Sequence, residues 1–133
     1  MADKLHFDLV SPEKRLFAGE VDMVVVPGEE GDFGVLPDHA PAMSAIRPGA
    51  ISVHNDGDVT RTFILGGFAE VTPAGLTVLA AEAIDLAGVD GEKLAKDISD
   101  AREDVSDAKD DDKRAAAQSK LDRLEALQAA LVN

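Results

Sequence analysis

Hydrophobic and polar positions change their rhythm part-way along the chain, and the change divides it into a β half and an α half. Near the start, Leu5, Phe7 and Leu9 alternate with Lys4, His6 and Asp8. A period of two predicts a strand with one buried and one wet face. Ser11-Pro12 ends that strand, since proline has no N–H to give a ladder. From Val21 to Val26 the run is nearly all apolar. That predicts a strand covered on both sides and stopped by Pro27-Gly28. Ala50 to His54 and Asp58 to Leu65 flank Asn55-Asp56-Gly57, residues that tolerate positive φ and so predict a hairpin. Gly67 to Thr72 and Leu76 to Ala80 flank Pro73-Ala74-Gly75 and predict another. Short antiparallel strands punctuated in this way point to a sandwich or barrel, with the sandwich preferred.

The second half follows a helical period. Leu94, Ile98, Ala101, Val105 and Ala108 form one stripe, and Ala117, Leu121, Leu124, Leu127 and Leu131 form another. Asp110-Asp111-Asp112 interrupts them, and acids there can cap a new helix and complement its dipole. Two amphipathic helices with a short connection predict an antiparallel hairpin. Lys120 falls within the second stripe. A snorkelling stem with the ammonium in water, or paired with Asp97 or Asp104, accounts for it. Composition turns over at the same place. All six prolines and nine of the eleven glycines precede Gly88. The expected architecture is therefore an all-β sandwich over residues 1–87 and an α-helical hairpin over 88–133.

Composition removes several classes of function. With no cysteine, disulfides, thiolate metal sites and cysteine nucleophiles are excluded. The start, Met-Ala-Asp-Lys, lacks the basic and apolar regions of a signal peptide. No run of about 18 apolar residues is present to cross a bilayer as a helix, so membrane association is expected only through a partner. The net charge of −13 and the absence of Trp and Tyr disfavour nucleic-acid binding.

The densest cluster of candidate chemistry is Gly28-Glu29-Glu30-Gly31-Asp32-Phe33-Gly34, followed by Val35-Leu36-Pro37-Asp38-His39-Ala40-Pro41. Glycines spaced by three resemble a phosphate-cradling loop, yet no Lys-Ser or Lys-Thr follows and three acids would oppose the phosphate. Its acids do not follow the EF-hand ligand spacing. A tight turn between strands is the better reading. His39 has no nucleophile motif to serve, and His6, His39 and His54 are too scattered to form a metal site. A small sandwich hydrolase or lectin-like module using His39 and the loop acids, and a generic scaffold or chaperone-like adaptor, are the alternatives, the first without a nucleophile motif or a defined metal shell.

Read as one pattern, the Gly28 to Pro41 loop resembles the characteristic loop of the ATP synthase epsilon subunit family. The flanking pieces match in order: Phe7-Asp8-Leu9-Val10-Ser11-Pro12, Leu16-Phe17-Ala18-Gly19, Ala45-Ile46-Arg47-Pro48-Gly49, Gly66-Gly67-Phe68-Ala69-Glu70-Val71 and Thr77-Val78-Leu79-Ala80. The resemblance is close from position 4 to about 87. The helical half matches in layout more than in residues. It implies a non-catalytic rotor subunit without a cofactor, bound to the gamma subunit and resting on the membrane c-ring. By that likeness Asp32 stands at the c-ring contact, with Glu29 and Glu30 as neighbours, and His39 faces gamma. The implied location is peripheral, on the cytoplasmic side of a bacterial inner membrane.

The family's hairpin can also reach the alpha/beta catalytic head and block ATP hydrolysis, and in some members bound ATP holds it folded. The ATP-binding members carry Ile/Leu-Asp-x-x-Arg-Ala; here the stretch reads Val89-Asp90-Gly91-Glu92-Lys93-Leu94. Asp90 is kept, but Lys93 lacks the planar fork of arginine, and Glu92 repels phosphate. Residues 88–133 hold twelve acids and eight bases, a net −4, unfavourable for an arm approaching an acidic surface. Weak inhibition at most is the expectation.

Overall fold

The computed structural model describes residues 3–132, apart from the side chain of Val132. Met1, Ala2 and Asn133, the outermost positions of the two expected domains, lie outside the described residues. The chain divides into two compact units, the first ending at Asp85 and the second beginning at Leu86.

The first unit contains β1 (Leu5–Val10), β2 (Arg15–Val21), β3 (Met23–Gly28), β4 (Gly31–Val35), β5 (Ala42–Ile46), β6 (Gly49–Asn55), β7 (Asp58–Ile64), β8 (Gly67–Thr72), β9 (Gly75–Ala80) and β10 (Ala83–Asp85). Strand order is β10-β7-β6-β3-β5-β8-β9-β1-β2, with β4 on the free side of β3. Strands far apart in that order share one core. Phe7 of β1 and Val78 of β9 are buried with Val24 of β3, Ile51 of β6 and Ile64 of β7. The sheet thus folds over on itself as a β-sandwich, and each fully buried aliphatic side chain contributes about 1.5–3 kcal/mol. In β1 the expected alternation is met: Leu5, Phe7 and Leu9 are buried while His6 points outward.

Backbone conformation follows the turn residues. Asn55 pairs with Asp58, leaving Asp56 (φ 52) and Gly57 (φ 86) as the tip of the β6–β7 hairpin. Two positive φ values define a type I′ turn, whose twist suits the strands it joins. Gly67, at φ 142, lies so close to β9 that an added Cβ would stand 1.9 Å from the Leu79 carbonyl oxygen. No other residue fits there.

Three expectations are corrected. The Val21–Val26 run is not one strand: β2 ends at Val21, and β3 begins at Met23. Between them Asp22 turns outward to Lys4 Nζ at 2.7 Å. Within β3, Val24 and Val26 are fully buried but Met23 and Val25 only half so. Pro27-Gly28 does not stop β3 but lies inside it, paired with Asp32 and Gly31 of β4. On its other side β3 leaves β6 after the Val25–Ser52 pair and meets β5 at Gly28–Ile46. Pro27 occupies that crossover, where its missing N–H is not needed. Finally, β1 pairs with β9 in parallel, Phe7 opposite Leu76, so the sandwich is not purely antiparallel.

Lys4 ties the first strand to two turns. Its Nζ also donates to Asn55 Oδ1 at 2.7 Å and to Asp56 Oδ1 at 3.0 Å, and the Asp56 N–H donates to Asp22 Oδ2 at 2.8 Å. The hydrogen bonds to Asp22 and then Asp56 hold the Lys4 ammonium above its ordinary range. Those from Lys4 and then the Asp56 N–H hold Asp22 below the usual carboxylate range.

The second unit has a 3-10 turn, Leu86–Gly88, then α1 (Gly91–Asp107) and α2 (Asp111–Val132), which form the helical hairpin. Each helix starts on an aspartate. Asp90 Oδ1 accepts from the Glu92 and Lys93 N–H groups at 3.0 and 3.3 Å, and Asp110 Oδ1 accepts from the Lys113 N–H at 2.7 Å. Those bonds satisfy donors that a helix start leaves unpaired. Leu94, Ile98 and Ala101 of α1 are buried, as are Leu121, Leu127 and Ala130 of α2. Val105, Ala117, Leu124 and Leu131 are half-buried. Arg114 Nη2 donates to the Ala108 carbonyl at 3.1 Å across the connection. Lys120 is exposed, its ammonium in water.

Candidate functional site

The expected loop is in fact two surfaces at opposite ends of β4. At one end, Gly28 and Gly31 pair to close the β3–β4 hairpin, with Glu29 and Glu30 as its two-residue tip. Both glutamates are exposed, and their carboxylates have no partner among the described residues. Gly28 is required by close approach: a Cβ there would stand 2.7 Å from the Gly31 carbonyl oxygen. Asp32 follows on β4, and its Oδ1 accepts from Arg47 Nη2 at 2.6 Å.

At the other end, the His39 N–H donates to the Leu36 carbonyl at 3.2 Å, and Asp38 adopts φ 67. Proline at the second position and positive φ at the third describe a type II turn. His39 is half-buried, with Nδ1 2.6 Å from the Ala40 carbonyl oxygen. If that nitrogen donates, Nε2 is left as an acceptor. His39 lines a cleft of about 680 Å³ with Pro37, Pro41, His6, Glu20 and Thr72. His6 sits there between two carboxylates, Nε2 3.1 Å from Asp8 Oδ2 and Nδ1 3.5 Å from Glu20 Oε1. The five residues of β4 separate the tip from the His39 turn by about 15 Å at the ordinary strand rise.

The outward face of β5, β8 and β9 adds a feature that periodicity did not reveal. Phe68 pairs with Leu79 and with Ala45, and Met43 stands beside them opposite Glu70. Met43 is 70% exposed, Phe68 57% and Leu79 54%. Three large apolar side chains together on a wet face mark an interaction surface more often than a random exposure. Phe68 and Leu79 stand on the face that alternation assigns to water, which was the available signal.

Asp90 and Lys93 lie in the second unit, at the start of α1. Both Asp90 hydrogen bonds run to the backbone of that helix, and the Lys93 side chain is exposed. Among the described residues no group of three or more His, Asp or Glu is placed to hold a metal ion. Nor is any of their helices long and apolar enough to cross a membrane.

A β-sandwich of this strand order followed by a two-helix hairpin defines a recognisable class of subunit. Residues 4–86 match the family model for the β-sandwich domain of the ATP synthase delta/epsilon chain. The ATP synthase epsilon chain of Maricaulis maris is 71% identical over 129 residues, covering 97% of both chains. That of Parvibaculum lavamentivorans is 58% identical over 129 residues, covering 96% of this chain and 98% of its own. A chain of the Euglena gracilis mitochondrial ATP synthase, from its OSCP/F1/c-ring structure in rotational state 1, superposes with a TM-score of 0.86 at 28% identity. The match covers 98% of this chain and 83% of that one. This chain belongs to the ATP synthase epsilon chain family.

Proposed function

We propose that this chain is a non-catalytic central-stalk subunit that joins the gamma subunit to the membrane c-ring, so that torque driven by proton flow reaches the catalytic head. One observation carries the reading. The acidic tip and the His39 turn are exposed at opposite ends of one short strand, and a coupling part needs two separate docking surfaces on a rigid body. The tip, with Glu29 and Glu30 at its end and Asp32 at its base, docks on the c-ring. His39 and its cleft face gamma, and the Met43–Phe68–Leu79 face supplies apolar area for a partner. The chain is held peripherally, on the cytoplasmic side of the inner membrane, by those partners.

The hairpin, residues 88–133, is at most a weak brake on ATP hydrolysis through the alpha/beta head, given its net −4 charge. Asp90 already serves as the cap of α1, so its retention is no argument for ATP binding. Affinity capture of the tagged chain from solubilised membranes tests the central reading. Gamma and the c-ring should be recovered together, whereas their absence would defeat it. Deleting the residues after Gly88 should leave ATP hydrolysis little changed; a large activation would show a strong brake.

A further inference from the structure

The end of β5 and the residue that follows it grip the acidic hairpin. Gly28 pairs with Ile46, the Glu29 N–H donates to the Ala45 carbonyl at 2.9 Å, and the Arg47 N–H donates to the Pro27 carbonyl at 3.0 Å. The Arg47 side chain then completes the hold. Nη1 donates to the Gly28 carbonyl at 2.6 Å while Nη2 donates to Asp32 Oδ1 at 2.6 Å. One planar fork thus fixes the last residue of β3 and the second residue of β4, on both sides of the tip. A two-residue tip has little stiffness of its own beyond its strands. Short, charge-assisted bonds from a rigid guanidinium supply it.

We infer that Arg47 is the positioning residue of the hairpin: it sets the direction in which Glu29 and Glu30 project and keeps the Asp32 carboxylate occupied within the chain. The inference rests on the reading of this tip as the c-ring contact. Its consequence is a division of labour among three acids that sequence alone treats alike. The two tip glutamates are left to meet cationic groups on the ring. Asp32 acts through Arg47 by holding the tip in place. Lysine replaces arginine only in part here, since one ammonium lacks the two parallel donors that reach the Gly28 carbonyl and Asp32 together.

The test uses the full chain and rotor complexes from which this subunit has been removed, with rebinding followed as salt is raised. Arg47→Ala should weaken rebinding about tenfold, the scale of two lost charge-assisted bonds at a partly exposed site. Its salt slope should match the wild type, because both tip charges remain. Amide exchange at Glu29 to Gly31 should speed up while the melting temperature barely moves. Arg47→Lys should recover only part of the affinity. Glu29→Gln with Glu30→Gln should instead flatten the salt slope. Asp32→Asn should weaken binding less than Arg47→Ala, and adding it to Arg47→Ala should change little.

Unchanged rebinding of Arg47→Ala would overturn the inference. So would tighter rebinding, which would make Asp32 the ring-facing charge that Arg47 masks. If the wild-type chain binds gamma but shows no dependence on the ring, the ring contact itself fails and the inference falls with it. That outcome is recognisable because the wild type, not the variant, is then the one that does not respond.

Discussion

The sandwich and the hairpin are built on opposite principles. In the sandwich, residues from positions 5 to 80 share one core, held by strand pairs between distant parts of the chain. In the hairpin, the buried apolar residues come from two narrow stripes that include Ala101 and Ala130. Further order comes from the Asp90 and Asp110 caps, the Arg114 bond to Ala108 and, between the helices, an Arg102–Glu125 ion pair at 3.7 Å. Such partly exposed ion pairs contribute little, on the order of 0–1 kcal/mol. A unit with few buried side chains and local caps opens more readily than one that depends on long-range packing. The difference teaches which half keeps its shape through long-range packing and which is open to local unfolding.

That contrast can be broken at several points. Phe7 is fully buried and its ring centroid lies 5.6 Å from that of Phe17. Phe7→Ala should cost about 4 kcal/mol, seen in urea as loss of the β-rich transition. Ile98→Ala, in the hairpin seam, should cost about 2–3 kcal/mol. It should raise amide exchange in α1 and α2 while leaving strand amides protected. Uniform loss of protection across all strands would refute the separation. Removing a cap is smaller still: Asp110→Ala should cost about 1 kcal/mol and fray the start of α2 in exchange measurements.

The smallest effect lies in the Lys4 network and is resolved by pH. Asp22 is held below the usual carboxylate range, so its contribution is full above the unfolded carboxylate pKa and is lost as pH falls through the depressed folded one. Lys4 is held above its ordinary range, so its contribution is full below the unfolded lysine pKa and is lost as pH rises through the raised folded one. Melting curves of Asp22→Asn should therefore fall less steeply than wild type on the acid side. Equal acid slopes would show that these exposed bonds add nothing to the sandwich.

Local pattern made part of this legible. The β1 alternation, the Asn55-Asp56-Gly57 turn, the two helical stripes and the aspartate cap before α2 each depend on residues within a few positions of one another. What the pattern missed depends on distant partners. Asp22 divides an apolar run because Lys4 reaches it, and Pro27 stays in a strand because β3 changes neighbours there. Arg47 acts on Gly28 and Asp32, nineteen and fifteen residues earlier. The candidate site shows the same limit. Glu29 to His39 is continuous in sequence, yet β4 carries its two ends apart, and only the strand register reveals that they face different places.

The parallel pairing of β1 with β9 has a consequence for the order of assembly during synthesis. β1 can zip to β2 as soon as both are made, since they adjoin in sequence and pair antiparallel. Its other edge must wait for Leu76 to Leu79. At the usual pace of about 5–20 residues per second, that is an interval of seconds in which Phe7 and Leu9 lack their final cover. A nascent chain is therefore most exposed to misassociation just before β9 emerges, and a chaperone holding the first hairpin would serve it best in that interval.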